Sequence, residues 1–430
     1  MNEFQEGWKP LLAATIGTMC GLFTITNYTQ GFFVGPVISE FGWTPGQFFL
    51  SYTILMCAGL ITAPIVGSLT QKYPLRTLGL VGLIGHALGY VVISLNPNSL
   101  LIWYASWALV AVVAAGSLPI IWTTVINGWF VKNRGKAIGI TMAGTGLGAF
   151  LMPPVVEYFI SNYGWRSAYR FIGMGPLFLA APIVWFWFRE KVQSAKHANT
   201  DNVPSGDSIK LSDDELSDGA GQREISDHTW GMTREQAMKS SKFWILGAVL
   251  FLTAFVIVGL LSNFERIVGA KQVDRETIAS VAALIGISVV VGRLLVGALV
   301  DRFWAPAVAA TFFVFPIIAI ILLLSAPFTA VTGVMIAILI GLAAGAELDL
   351  LAYLTSKYFG PKHYAKVFGA IFAFFTVGAG LAPPVFGEFA VLMGGYQTAL
   401  ILGCFAFAIS IGLFLALGQY PKEAMQEIDR

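Results

Sequence analysis

Apolar residues fall along this chain in long runs, separated by short clusters of charged and turn-forming residues. About 20 predominantly apolar residues, rising 1.5 Å each as helix, cross the roughly 30 Å of hydrocarbon in a bilayer. Twelve runs reach that length: 11–37, 47–71, 77–95, 99–130, 136–160, 169–188, 243–265, 276–300, 305–326, 329–356, 365–392 and 396–418. Several are longer than a crossing needs, which predicts tilt or extension past the headgroups. Trp43, Tyr73, Trp129, Trp165, Trp244, Tyr358 and Tyr396 stand at run ends, where amphipathic rings settle at the membrane interface. The pattern predicts an all-α membrane protein with twelve transmembrane helices. The first run is too long for the apolar part of a signal peptide and reads as an uncleaved first span.

Residues 189–241 break the pattern. They are rich in Asp, Ser, Gly and Lys and have no apolar period. They read as a flexible cytoplasmic linker, with an amphipathic turn over 230–238 suited to the membrane surface. The linker divides the chain into six-helix bundles over 1–188 and 242–430. The bundles repeat at a constant offset of 230 residues. Gly67-Ser-Leu-Thr-Gln-Lys72 falls on Gly297-Ala-Leu-Val-Asp-Arg302, Lys136 and Gly139 on Lys366 and Gly369, and Pro153-Pro154 on Pro383-Pro384. Gly146 falls on Thr376, a mismatch. Duplication of a six-helix unit gives a transporter its pseudo-two-fold axis and a central site between the halves. The paired prolines predict kinks at equivalent places in helices 5 and 11.

Composition agrees with lipid as the solvent: 56% of residues are hydrophobic and 12% charged, against roughly 25% charged in soluble domains. The net charge of +2 gives no basic stripe for nucleic acid, because the basic residues sit in short loops. Lys72, Arg76, Lys132, Arg134, Lys136, Arg302, Lys357, Lys362 and Lys366 lie on one side of the predicted topology, and Arg166, Arg170, Arg266, Lys271 and Arg275 on the other. That bias puts the first group and both termini in the cytoplasm of a multi-pass protein of the cell (inner) membrane. Cys20, Cys57 and Cys404 lie in apolar runs without metal-ligand spacing and read as small buried hydrophobes. No metal or cofactor is expected.

The loop 297–302 and its copy at 67–72 resemble the loop signature of the major facilitator superfamily, with Gln71 where that family has Asp. The stretch Trp129-Phe-Val-Lys-Asn-Arg-Gly-Lys-Ala-Ile-Gly-Ile-Thr-Met-Ala-Gly144 resembles the helix 4–5 signature of its monocarboxylate and oxalate–formate branch. The resemblance covers nearly the whole chain outside the linker. It implies the major facilitator fold, alternating access, and gating contacts from Asp301, Arg302 and Lys72. There are departures. Animal monocarboxylate carriers pair an Asp with an Arg four residues later in helix 8, whereas this chain has Val289 and Arg293. The oxalate–formate exchanger has a Lys in helix 11, and none occurs here between Lys366 and Gly394.

A charge deep in a span costs about 2.5–3.5 kcal/mol on insertion scales and marks a functional candidate. Arg293, Glu347 and Asp349 qualify; Glu157 and Glu388 lie nearer helix ends. Arg293 stands eight residues before Asp301, and Asp349 eight before Lys357, so both lie about 12 Å inside the cytoplasmic end, with Glu347 about 3 Å deeper. The guanidinium is a permanent cation whose planar fork fits a carboxylate. It reads as an anion anchor; the structural alternative is a permanent ion pair with Glu347 or Asp349. The branch resemblance also implies an anion-binding Arg here. Glu347 and Asp349 lie about 200° apart around their helix. Asp349, in line with Gly345 and Tyr353, is expected to face the cavity, and Glu347 a neighbouring helix. An anion held on Arg293 cancels the cation's field at a nearby carboxyl, so proton and anion bind cooperatively, with Asp349 and Glu347 as the proton-coupling candidates. Asn27 and Tyr28 in helix 1, Trp122 in helix 4 and Phe374 in helix 11 are the remaining candidate wall residues.

These features describe a secondary transporter of small organic anions, monocarboxylates or other carboxylic acids including aromatic ones, coupled to protons by symport. An anion exchanger, or a multidrug or sugar carrier, is the alternative. The sequence has no phosphate-binding Gly-x-x-x-x-Gly-Lys-Ser/Thr loop and no nucleophile–base constellation, which argues against a pump or an enzyme. The expected partners are a carboxylate, protons and the bilayer, with no nucleic acid and a monomeric state.

Overall fold

The computed structural model describes residues 3–70, 72–130, 133–190 and 230–421. Most of the predicted linker, together with Gln71 and Lys132, lies outside the described residues. Among the described residues every regular element is a helix. It opens with α1 (Glu3–Met19), α2 (Leu22–Phe41), α3 (Pro45–Leu69) and α4 (Leu75–Ser94). Then come α5 (Leu100–Val113), α6 (Pro119–Trp129), α7 (Arg134–Gly175) and α8 (Ala181–Trp187). After the linker follow α9 (Arg234–Lys239), α10 (Ser241–Ser262), α11 (Phe264–Gly269) and α12 (Arg275–Val300). The chain closes with α13 (Ala305–Ser325), α14 (Ala330–Phe359), α15 (Tyr364–Leu392) and α16 (Gln397–Ala416).

Helix starts follow local chemistry. Thr44 and Gln47 exchange bonds of 3.2 and 2.9 Å in a capping box ahead of Pro45. Asp274 accepts the Thr277 amide at 2.7 Å, and that bond together with the one from the Thr277 hydroxyl holds its exposed carboxyl below its ordinary range. Ten helices, among the described residues, are long and apolar enough to cross a membrane. Two of the ten are composite. Glu3–Phe41 joins α1 to α2 across a break at Cys20–Gly21, where Leu22 N–H donates to Ser117 Oγ at 3.2 Å. The 54-residue Arg134–Trp187 segment contains Gly164 at φ 77° and ψ 163°, a backbone state that favours glycine and ends the helix locally. The arms on either side correspond to the separate runs expected at 136–160 and 169–188. The run expected at 99–130 is α5 and α6, joined through a 3₁₀ turn at Ala115–Ser117. Pro153 and Pro154 lie within α7 with helical backbone, so its departure from helical geometry is at Gly164 and not at the prolines.

The segments before and after the linker meet along two main seams, α7 against α12 and α3 against α15, with α2 also against α10. α12 and α14 run parallel: Gly333 faces Val281, Gly341 faces Ser288 and Gly345 faces Val289. Small residues permit these approaches. Within the first segment α4 also packs closely on the 3₁₀ turn, where a Cβ on Gly82 would overlap the backbone of Gly116 and Ser117. Gly82→Leu is therefore expected to destabilise the protein by about 3 kcal/mol or more, read as a lower melting temperature of the purified protein in detergent.

The seams are closed at one end and open at the other. At the closed end Thr53 Oγ1 donates to Gly380 O at 2.7 Å, Gly387 packs on Pro45, and Arg275 bridges to Glu157 at 2.9 Å. On the same four helices, toward the opposite end, Gly59, Gly67, Gly139, Gly297 and Gly369 have no described atom beyond their own stretch of helix within 4 Å of where a Cβ would stand. The open end is the one that carries the loops at 72–74, 301–304 and 360–363. Cys57, near it on α3, is exposed and so is not the buried small hydrophobe expected, whereas Cys20 is buried.

Candidate functional site

Arg293 lies on the face of α12 that meets α7, one helical turn beyond the Val289–Gly345 contact. Its Nη1 donates to the carbonyl of Met142 in α7 at 3.4 Å, across the seam. Its Nε is buried without a hydrogen-bond partner. Among the described residues no carboxylate lies within 4.0 Å of its guanidinium, so it is not permanently paired with Glu347 or Asp349. The structural alternative left open by the sequence is therefore absent from this conformation. A permanently charged fork, half-buried and held by one long bond, is a costly arrangement unless it meets an anion for part of the working cycle.

The two acids of α14 face different ways. Glu347 is 4% exposed and accepts the Thr253 hydroxyl of α10 at 2.6 Å. Asp349 is exposed and hydrogen-bonds to no described residue. Because α12 and α14 run parallel and touch at Val289–Gly345, Arg293 and Asp349 follow one turn later on the same side, and the Arg293 charge acts on the Asp349 carboxyl. Tyr28 of α2 stands within electrostatic reach of both Arg293 and Glu347. Its neighbour Asn27 accepts the hydroxyl of Tyr52 from α3. Asn27 and Tyr28, with Phe32, Pro153, Leu261, Phe264, Ala282 and Ile285, line a recess between α2, α7, α10, α11 and α12. Arg293, Asp349, Glu347 and Tyr28 thus gather where the two segments face each other.

Three candidates lie elsewhere. Trp122 is fully buried in the core of the first segment; its indole donates to Ser117 O at 3.1 Å and its ring packs on Gly17, Gly79 and Phe188. It is a packing residue. Phe374 packs on Gly247 and meets the rings of Phe243 and Trp244, filling the α10–α15 contact. Tyr353 lies two turns from Gly345, under the Lys357 ammonium at 5.6 Å and within reach of the Asp301 charge, toward the open end. The loop residues Lys72, Asp301 and Arg302 are exposed, and no described ion pair joins them. The sequence does not mark Thr253, Met142 and Tyr52, because a lone hydroxyl or carbonyl in an apolar run carries no signal until its partner is known.

The profile of the Major Facilitator Superfamily matches residues 15–383. The chain belongs to the Major Facilitator Superfamily. It is a transporter and not an enzyme, and a multi-pass membrane protein. Relatives in this superfamily include monocarboxylate transporter 12 of Xenopus laevis, 22% identical over 99% of this chain and 92% of the relative. Monocarboxylate transporter 14 of Mus musculus is 23% identical over 91% of this chain and 86% of its own length. The MFS-type transporter YhjX of Escherichia coli is 21% identical over 88% and 87%. Among solved structures, a bacterial homologue of the human lysosomal transporter Spinster, in an inward-facing, occupied conformation, superposes with a TM-score of 0.67 at 17% identity over 97% of both chains. The same homologue unoccupied gives a TM-score of 0.63. The superfamily membership implies a small-molecule substrate carried across the bilayer, and the relatives carry the resemblance to the monocarboxylate branch.

Proposed function

We propose that this protein carries small monocarboxylates or other small organic carboxylates across the membrane by alternating access, with co-transport of protons. The observation that carries this reading is Arg293: a cation on the seam between the two segments whose Nη1 reaches only a carbonyl of the opposite segment and whose Nε has no partner. A carboxylate bridging the fork would complete the charge-assisted bonds that the protein's own acids leave unmade. The names of the curated relatives point to the same substrate class.

In this reading the chain crosses the membrane twelve times, counting the arms on either side of Gly164 separately and α5 with α6 as one crossing. Residues 1–188 and 242–430 form two six-helix bundles tethered by the linker. Both termini and the loops at the open end lie in the cytoplasm, so the conformation opens inward. Asp349, exposed and within the field of Arg293, is the proton carrier. Glu347, bonded to Thr253, links α14 to α10 and relays the charge state toward Tyr28. Lys72, Asp301 and Arg302 act when the inner end closes. The working unit is the monomer.

Uptake of labelled carboxylates into proteoliposomes, with sugars and hydrophobic cations as controls, tests the substrate class. Carboxylate uptake that rises with an inward proton gradient is the expected outcome. Transport of a sugar or a drug with no carboxylate uptake would overturn the reading.

A further inference from the structure

At the closed end of the seam, Arg275 opens α12 and uses all three guanidinium nitrogens. Nε meets both oxygens of Glu157 from α7 at 2.9 and 3.0 Å. Nη1 lies 3.1 Å from Glu265 Oε1 of α11, and Nη2 donates to the Phe32 carbonyl of α2 at 2.9 Å. Ser161 Oγ adds a bond to Glu157 Oε1 at 2.6 Å. One side chain from the second segment thus holds two helices of the first. Glu157 and Glu265 are both buried. At the open end Arg293 makes a single 3.4 Å bond to Met142 O across the seam. The closed state is stitched by charge where it touches.

We propose that Arg275, Glu157, Glu265 and the Phe32 carbonyl form an outer latch that closes with uptake of a proton from the outer side, so that protonation outside favours opening inside. The inference rests on the alternating-access reading above. Two carboxylates converge on one guanidinium in a buried cluster, with Arg266 the other cation near Glu265, and burial opposes the charge of the second carboxylate. The charged and titratable groups facing Glu265 are Arg275 of α12, Glu157 of α7, its own neighbour Arg266, and Tyr396 before α16, whose hydroxyl bonds Asn263 at 2.9 Å. Burial is the largest influence and pushes the Glu265 carboxyl up; Arg275 pulls it down, Glu157 pushes it up again and Arg266 pulls it down, with a net rise.

The sign follows. Separation of the outer ends rehydrates Glu265 and returns it toward the ordinary carboxylate value of about 4.3. The latched state therefore binds the proton more tightly. Its advantage is complete below that ordinary value and is lost as pH rises through the raised one.

Spin labels at Ser39→Cys on α2 and Ala330→Cys on α14, both exposed in the wild-type chain, report the outer separation once the three native cysteines are replaced by serine. In lipid nanodiscs, the long-distance population is expected to rise at least about threefold between about pH 5 and pH 8. Glu265→Gln should hold the short distance at both pH values. Arg275→Met and Glu157→Gln should each raise the long-distance population at both. Distances unchanged in Arg275→Met and Glu157→Gln, or a wild type that ignores pH, would overturn the latch. No substrate is present, so this result stands or falls separately from the carboxylate assignment.

Discussion

Replacing Arg293 by Ala is expected to lower proton-driven carboxylate uptake at least about 100-fold, the ~3 kcal/mol typical of removing one partner of a buried charge-assisted pair. The loss should be specific to binding. Arg293 has no intramolecular carboxylate partner, so its removal strands no buried acid. The melting temperature of substrate-free protein should hold or rise, because an unneutralised half-buried cation is gone. Arg293→Lys keeps the charge but replaces a planar fork by a point donor. It is expected to recover part of the uptake with a raised KM. Rates in proteoliposomes at matched protein incorporation are the measurement. Uptake within a few-fold of wild type in Arg293→Ala would remove the residue from the site.

Asp349→Asn is expected to abolish uphill accumulation driven by a proton gradient while leaving carboxylate exchange between equal pH compartments within about threefold of wild type. Asn keeps the shape of the side chain and cannot take up a proton. The Arg293 charge of α12 acts on Asp349 of α14, so an anion on Arg293 changes the field at Asp349. Coupling is that reciprocal effect. Glu347→Gln keeps an acceptor for the Thr253 hydroxyl and should disturb coupling less. Full gradient-driven accumulation in Asp349→Asn, with coupling lost in Glu347→Gln, would transfer the proton to the buried acid. The ratio of accumulation to counterflow separates the outcomes.

Much of the scaffold was legible because its signals are local and long. A 20-residue apolar run survives any detail of packing. The breaks were less so. Gly164 and the Ala115–Ser117 turn interrupt helices by backbone states that hydropathy does not register. Arg293, Glu347 and Asp349 stood out because charge in an apolar run is rare. The opposed facing of the two acids followed from their spacing of two residues, and the structure turns Glu347 to Thr253 and leaves Asp349 exposed.

The wall residues were harder. Trp122 is as aromatic and as polar-tipped as a ligand-binding Trp, and only its neighbours Gly17, Gly79 and Phe188 show it to be packing. Phe374 fills a helix contact beside Gly247 for the same reason. The outer cluster was invisible for a different cause. In the sequence Arg275 is a loop charge and Glu157 a helix-end acid, 118 positions apart. Only the fold brings them together.

The most direct measurement is a calorimetric titration of purified protein with a small monocarboxylate at two pH values and in buffers of different ionisation enthalpy. The expected result is saturable binding with proton uptake, weakened at least about 100-fold by Arg293→Ala. Binding of equal affinity in Arg293→Ala, or binding with no proton exchanged, would contradict an anion anchored on Arg293 and coupled to a carboxyl beside it.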